Sequence, residues 1–301
     1  MSPFKKSHSP LPTSPKILEG LVDIVQNYDA FIIDLWGVLH DGRKLFQKSI
    51  GTLTKLKDLQ KTTLILSNSP RRTLMSIDNL KAMGLTPNLY THIYTSGEDT
   101  HLALKNLTNP WHQKLGRRFY HIGTGLHQAI YEELPFQKVL NILDADFILT
   151  TGAEFPKLID YEEILQAGIT KDLPMLCANP DRVVIHDGLM ILCCGSIAKK
   201  YEELGGYVHY HGKPNASIYE PVLTQLAQIP QNRILAIGDS LTTDILGANQ
   251  AGMDSLLIMS GIHHQHLLNN GQLTSDTEVR LTSLIEREGI LPTYALQDFC
   301  F

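Results

Sequence analysis

Four short stretches carry side chains that together could handle a phosphoryl group. Asp34 ends the apolar run 30–33, Ser67-Asn68-Ser69 ends a second run, Lys213 lies in His211-Gly212-Lys213-Pro214, and Gly238-Asp239-Ser240 is followed by Asp244. A carboxylate can attack phosphorus as a covalent nucleophile, and hydroxyl and backbone N–H donors at a helix start can hold phosphate oxygens. A lysine can neutralise the charge, and further carboxylates can hold Mg²⁺. Singly, each stretch has a plainer use. Asp34 could form a turn, Ser67-Asn68-Ser69 could cap the helix that Pro70 opens, and Asp244 could favour the first turn of its own helix. The joint order and spacing carry the phosphoryl reading.

Strand and helix patterns must deliver these groups to one place. After a tail over 1–15 rich in Pro and Ser, the sequence predicts a helix near 16–27, a strand 29–34, a helix 47–60, a strand 62–67 and a helix 70–83 that closes at Gly84. The same grammar returns as strand 207–211, helix 215–228, strand 233–238, helix 242–251 and strand 254–259. Such alternation implies an α/β fold with a parallel sheet and right-handed crossovers, with ligands at the carboxyl ends of the strands. About a hundred residues between the halves have strands of their own, at 117–122, 145–150, 174–178 and 182–186, and read as an inserted domain. The expected division is a core of 16–97 and 205–301 around an insert of 98–204.

The four stretches in this order resemble the motifs of class IIA, the NagD-like branch, of the haloacid dehalogenase (HAD) superfamily. Thr95-Ser96-Gly97 and Ala178-Asn179-Pro180-Asp181 echo the same branch, and the likeness runs from about 28 to 260. The resemblance implies a doubly wound, Rossmann-like parallel-sheet core with a class II α/β cap made by the insert. It implies a Mg²⁺-dependent phosphatase that forms an aspartyl-phosphate on a small phosphorylated metabolite. By position, Asp34 is then the nucleophile, Ser67 and Asn68 bind phosphoryl oxygens, and Lys213 stabilises their charge. Asp239 is a metal ligand beside Asp34 and the backbone carbonyl of Trp36, and Asp244 orients Lys213 or a metal-bound water. Asn179, Asp181 and Arg182 are cap candidates for substrate contact, with the ordinary turn-forming use of Asn, Pro and Asp beside that reading.

Motif I departs from the family pattern at Trp36, where an aspartate usually protonates the leaving oxygen and later accepts a proton from water. Indole N–H donates a hydrogen bond but is no proton acid or base near neutrality. A general acid/base is worth about 10²–10⁴ in rate, so the loss weakens a phosphatase without abolishing it. Three readings follow. His40, Asp41, His209 or His211 substitutes; the chemistry is of a phosphonatase or phosphotransferase kind that needs no such acid; or the chain binds a phospholigand without turnover.

Composition narrows the partners. The 301 residues carry a formal charge of -5 with no basic cluster that would track nucleic acid, and no apolar stretch long enough for a membrane helix. A cytoplasmic protein is expected, with a homodimer through the cap as an open option. Cys177, Cys193, Cys194 and Cys300 lack zinc spacing, and His263-His264-Gln265-His266 reads as an exposed polar loop rather than a metal site.

Overall fold

Asp34 can be delivered to a pocket because the strand before it is buried on both faces. In the computed structural model, which describes residues 14–107, 109–186 and 189–301, the strands are β1 (Lys16–Leu18), β2 (Ala30–Ile33), β3 (Thr62–Ser67) and β4 (His92–Thr95). They are followed by β5 (Arg118–Ile122), β6 (Gln137–Val139), β7 (Phe147–Thr150), β8 (Met175–Cys177), β9 (Val183–His186), β10 (Leu189–Leu192) and β11 (Val208–Tyr210). The last are β12 (Ile234–Gly238), β13 (Asp254–Ile258) and β14 (Tyr294–Leu296). Most of the expected tail, residues 1–13, lies outside the described residues.

A seven-stranded sheet has the order β1-β14-β13-β12-β2-β3-β4, and every pairing in it is parallel. Alternating side chains serve two cores. Phe31, Ile33, Ile65, Leu235 and Ile237 pack with Leu53, Leu56 and Leu80 of the helices Gln47–Asp58 and Thr73–Ala82. Ala30, Ile32, Leu64, Leu66, Ile234 and Ala236 pack with Ile218, Tyr219 and Val222 of the helix Ala216–Gln225. Strands covered on both faces read as continuous apolar runs, which is why β2 and β12 show no polar alternation. The strand order reverses between β2 and β12, so their carboxyl ends open the crevice where α/β sheets bind ligands.

The insert forms a second parallel sheet, β11-β8-β7-β5-β6, and β9 and β10 form a separate antiparallel hairpin. Three expectations change. The sequence places strand 207–211 in the core, but β11 pairs with β8 of the second sheet, so the insert's sheet extends past 204. Strand 182–186 does not join that sheet but makes the hairpin. Residues 16–27 are not a helix: β1 pairs with β14, and two 3₁₀ turns follow at Leu21–Asp23 and Val25–Asn27. The partner strand β14 and the helix Thr277–Glu288 before it lie beyond the stretch that the motifs brought into view.

Candidate functional site

The four stretches converge. Lys213 Nζ lies 2.6 Å from Asp34 Oδ1, 2.6 Å from Asp244 Oδ1 and 2.9 Å from the Leu66 carbonyl. Asp34, Asp239, Asp244, Ser67, Asn68 and Lys213 are all buried. Carboxylate oxygens of Asp34, Asp239 and Asp244 lie within 4.8 Å of one another. Three carboxylates thus face one ammonium. Burial raises the Asp34 carboxyl to about 7; Lys213 opposes the rise and Asp244 adds to it. Burial also holds Asp239 well above its ordinary value, with repulsion from Asp34 and Asp244. Lys213 remains charged, because Asp244 and Asp34 outweigh the burial that disfavours an ammonium.

Each group is held by local backbone. A π-helical turn at Leu241–Ile245 folds Asp244 back so that its Oδ2 accepts from Ser240 N at 3.1 Å, while its Oδ1 orients Lys213. Asp239 Oδ2 accepts from Ile262 N at 2.7 Å. A β-carbon added at Gly37 would stand 2.0 Å from Asp239 Oδ2, and one at Gly261 would stand 2.1 Å from it. The carboxylate therefore sits in a cradle that only glycines leave open. These hard oxygen donors with excess negative charge fit a Mg²⁺ ion.

Lys213 arrives from β11, out of the second sheet, through a Gly212 turn at φ +93°. A β-carbon there would stand 2.7 Å from Asn68 Oδ1 and from Ser96 Oγ. Asn68 is committed to this junction: its Oδ1 accepts from Lys213 N at 2.7 Å, and its Nδ2 donates to Asp181 Oδ1 at 2.8 Å and to the Lys213 carbonyl at 3.2 Å. Its side chain thus braces the loop. Ser67 Oγ accepts from Ser69 N at 3.1 Å. Thr95-Ser96-Gly97 ties the junction from below, with Thr95 Oγ1 donating to the Arg71 carbonyl and Ser96 Oγ to the Ala178 carbonyl.

Of the cap candidates, Asp181 reaches the site and the others form the turn that sends it there. Asn179 Oδ1 accepts from Asp181 N at 2.8 Å, and Arg182 is exposed. Burial raises the half-buried Asp181 carboxyl to about 6, against its bond to Asn68 and the pull of Lys213. None of the expected substitutes for the missing acid lies comparably. His40 Nδ1 accepts from Gly42 N, and Asp41 Oδ1 accepts from Arg43 N and Lys44 N, all within the loop after motif I. His209 and His211 face His112 instead. Trp36 Nε1 donates to the Ile185 carbonyl of β9 at 2.9 Å, so the indole ties motif I to the hairpin. The Trp36 ring also meets His40 edge-on and lies against His186.

The chain aligns along 93% of its length, and 98% of the other's, with a haloacid dehalogenase-like family hydrolase structure from Brucella suis, at 31% identity and a TM-score of 0.77. The chain belongs to the haloacid dehalogenase-like family. Residues 31–137 match the haloacid dehalogenase-like hydrolases and 210–283 match a second HAD-hydrolase-like family. Among curated relatives, it is 26% identical over 246 residues to the 5'-nucleotidase YutF of Bacillus subtilis, covering 79% of this chain and 90% of that one. It is 24% identical over 234 residues to the ribonucleotide monophosphatase NagD of Escherichia coli, covering 77% and 87%. These relatives support class IIA within the superfamily.

The cysteines and the late histidines differ in outcome. Cys177 and Cys194 are buried, and both thiols donate to the Asn179 carbonyl at 3.2 Å. His263 is no exposed loop residue: its Nε2 accepts from Leu241 N at the start of the π turn, and His264–Leu267 forms a short helix. No helix among the described residues is long and apolar enough to cross a membrane.

Proposed function

We propose that this HAD protein is a Mg²⁺-dependent phosphatase that hydrolyses a small phosphorylated metabolite through an aspartyl-phosphate on Asp34. The observation that carries it is the Lys213 ammonium held at 2.6 Å from both Asp34 and Asp244 in a buried pocket beside Asp239. Asp34, Asp239 and the Trp36 carbonyl would hold the ion, which would neutralise the charge shared by carboxylates and phosphate. Asp34 attacks phosphorus while Lys213 and the Ser67 hydroxyl stabilise the equatorial oxygens. Asp244 keeps Lys213 in place and does not itself touch the phosphoryl group.

Asp181 takes the proton-transfer role that Trp36 cannot. Burial raises its carboxyl to about 6, and Asn68, which also bonds Lys213, holds it in place. In the first step Asp181 gives its proton to the leaving oxygen as the bond to phosphorus breaks. In the second it accepts a proton from the water that attacks the acyl phosphate, which frees phosphate and restores Asp34. The relatives YutF and NagD make nucleoside monophosphates the first compounds to try.

The test is phosphate release from a panel of phosphorylated metabolites with Mg²⁺, beside Asp34→Asn and Asp181→Asn. Release that requires Mg²⁺ and disappears in Asp34→Asn supports the proposal. Tight binding of metal and inorganic phosphate without turnover of any compound would instead favour a phospholigand-binding protein.

A further inference from the structure

We infer that His112, His209 and His211 form a second metal site, for Zn²⁺ or a similar transition-metal ion, separate from the carboxylate pocket. One ring nitrogen from each histidine lies within 4.8 Å of the others. His112 Nε2 and His211 Nε2 are 3.0 Å apart. Two nitrogens on one Zn²⁺ at ordinary bond lengths stand about 3.3 Å apart in tetrahedral geometry, so closing around an ion requires little movement.

The surroundings are those of a built ligand set. His211 Nδ1 lies 2.6 Å from Asp99 Oδ2, which also accepts from Ser217 Oγ at 3.0 Å. A carboxylate on one ring nitrogen fixes the tautomer and turns the lone pair of the other outward, here into the cluster. His209 stacks on Trp111 with ring centroids 4.3 Å apart and planes 11° from parallel, so this ring too has a set direction. Short-range geometry supplies the rest: His209 and His211 are two residues apart at the end of β11, and His112 lies in the short helix Pro110–Gln113.

Hydrogen bonding within the cluster leaves a deficit. The His112 ring is 2% exposed and its Nδ1 has no hydrogen-bond partner. The contact between His112 and His211 accommodates a single N–H···N bond, and His209 contributes a further nitrogen. An ion bound by the three rings would take one lone pair from each, that of His112 from the Nε2 facing His211, and would leave His112 Nδ1 on the far side of its ring.

Three protein ligands would leave a coordination position open, and the cluster lines a cavity of about 550 Å³ that also meets Asp99, Asn106 and Glu220. Imidazole nitrogen selects zinc, copper or nickel, whereas the oxygen set of Asp34 and Asp239 suits magnesium, so the two sites discriminate by donor chemistry. His211 stands two residues before Lys213, so an ion here would also anchor the strand end from which that lysine extends. The metal site does not depend on the hydrolase reading.

The experiment is calorimetric titration of the chelator-treated full chain with Zn²⁺ while excess Mg²⁺ occupies the carboxylate site. One Zn²⁺ per chain is expected, with binding lost in His112→Ala and in His209→Gln and kept in Asp239→Asn. Asp99→Asn is expected to weaken binding about 10- to 100-fold without removing it. Co²⁺ should give the visible absorption of a four-coordinate site with three nitrogen ligands, absent in the same histidine variants. His209 is half-buried, so its variant tests the site even where His112→Ala fails to fold. No Zn²⁺ uptake by the wild-type chain, or uptake unchanged in His209→Gln and lost in Asp239→Asn, would overturn the site and leave only a hydrogen-bonded histidine cluster.

Discussion

At Trp36 the side chain forms a tie: its N–H is spent on the Ile185 carbonyl of the hairpin. With Asp181 moving the proton, Trp36→Asp is expected to lower phosphate release, because the tie is lost and no missing acid is restored. A gain in turnover would show that Asp181 does not fill the role. Asp181→Asn should slow the reaction about 10²–10⁴-fold. It should also remove the fall in the leaving-group step as pH rises through about 6, where the wild-type carboxyl loses its proton; single-turnover pH profiles read both effects. Asp34 gives a prediction about stability. Its carboxyl rises from 3.8 to about 7 on folding without metal, so the stabilising contribution present below pH 3.8 is lost as pH climbs to about 7. Metal-free Asp34→Asn should therefore melt at a higher temperature than the wild type at pH 8, while its phosphate release is abolished.

Loops between elements hold these residues, and their tolerance is set by backbone contact. Gly97 N donates to the Ser69 carbonyl at 3.0 Å, and a β-carbon on Gly97 would stand 2.5 Å from the Arg71 carbonyl. Gly97→Ala must push the helix Ser96–Asn106 off the loop after β3, at a cost of about 1–3 kcal/mol in urea unfolding. Gly37 is at φ +78° and faces Asp239, so substitution there adds left-handed strain to a collision with the carboxylate. The bidentate pair of Arg72 with Glu98, with contacts of 2.7 and 2.9 Å, clamps the same two elements from the outer side.

Across the whole molecule, the site is assembled from two sheets: Asp34 and Asp239 follow core strands and Ser67 ends one, while Lys213 and Asp181 lie in the turns after β11 and β8 of the insert's sheet. Ligand binding should therefore stabilise both together. Inorganic phosphate is expected to raise the melting temperature with Mg²⁺ present and to do much less without it, since phosphate then meets uncompensated carboxylates. By mass action the gain is about 2.7 kcal/mol at a hundredfold excess over Kd. A thermal melt with and without each component checks the coupling.

Local pattern was enough to find β2, β3, β12 and β13 of the core sheet, the order of the motif stretches and the chemistry each could supply, because apolar runs, glycine turns and strand-terminal polar residues are properties of neighbours along the chain. β3 has the predicted bounds, and β2 and β12 lie within theirs. Sheet membership was not local. The run at β11 reads like a core strand, yet its hydrogen bonds go to β8, since any short apolar strand can pair with several edges and only packing chooses among them. Tertiary structure likewise separated Asp181 from Asn179 and Arg182, committed the Asn68 amide to a brace, and gathered His112 with His209 and His211 across 97 residues of chain. The sequence alone determined which chemical groups were present and which strands could carry them; the fold decided which groups meet, because distance and burial depend on contacts remote in the chain.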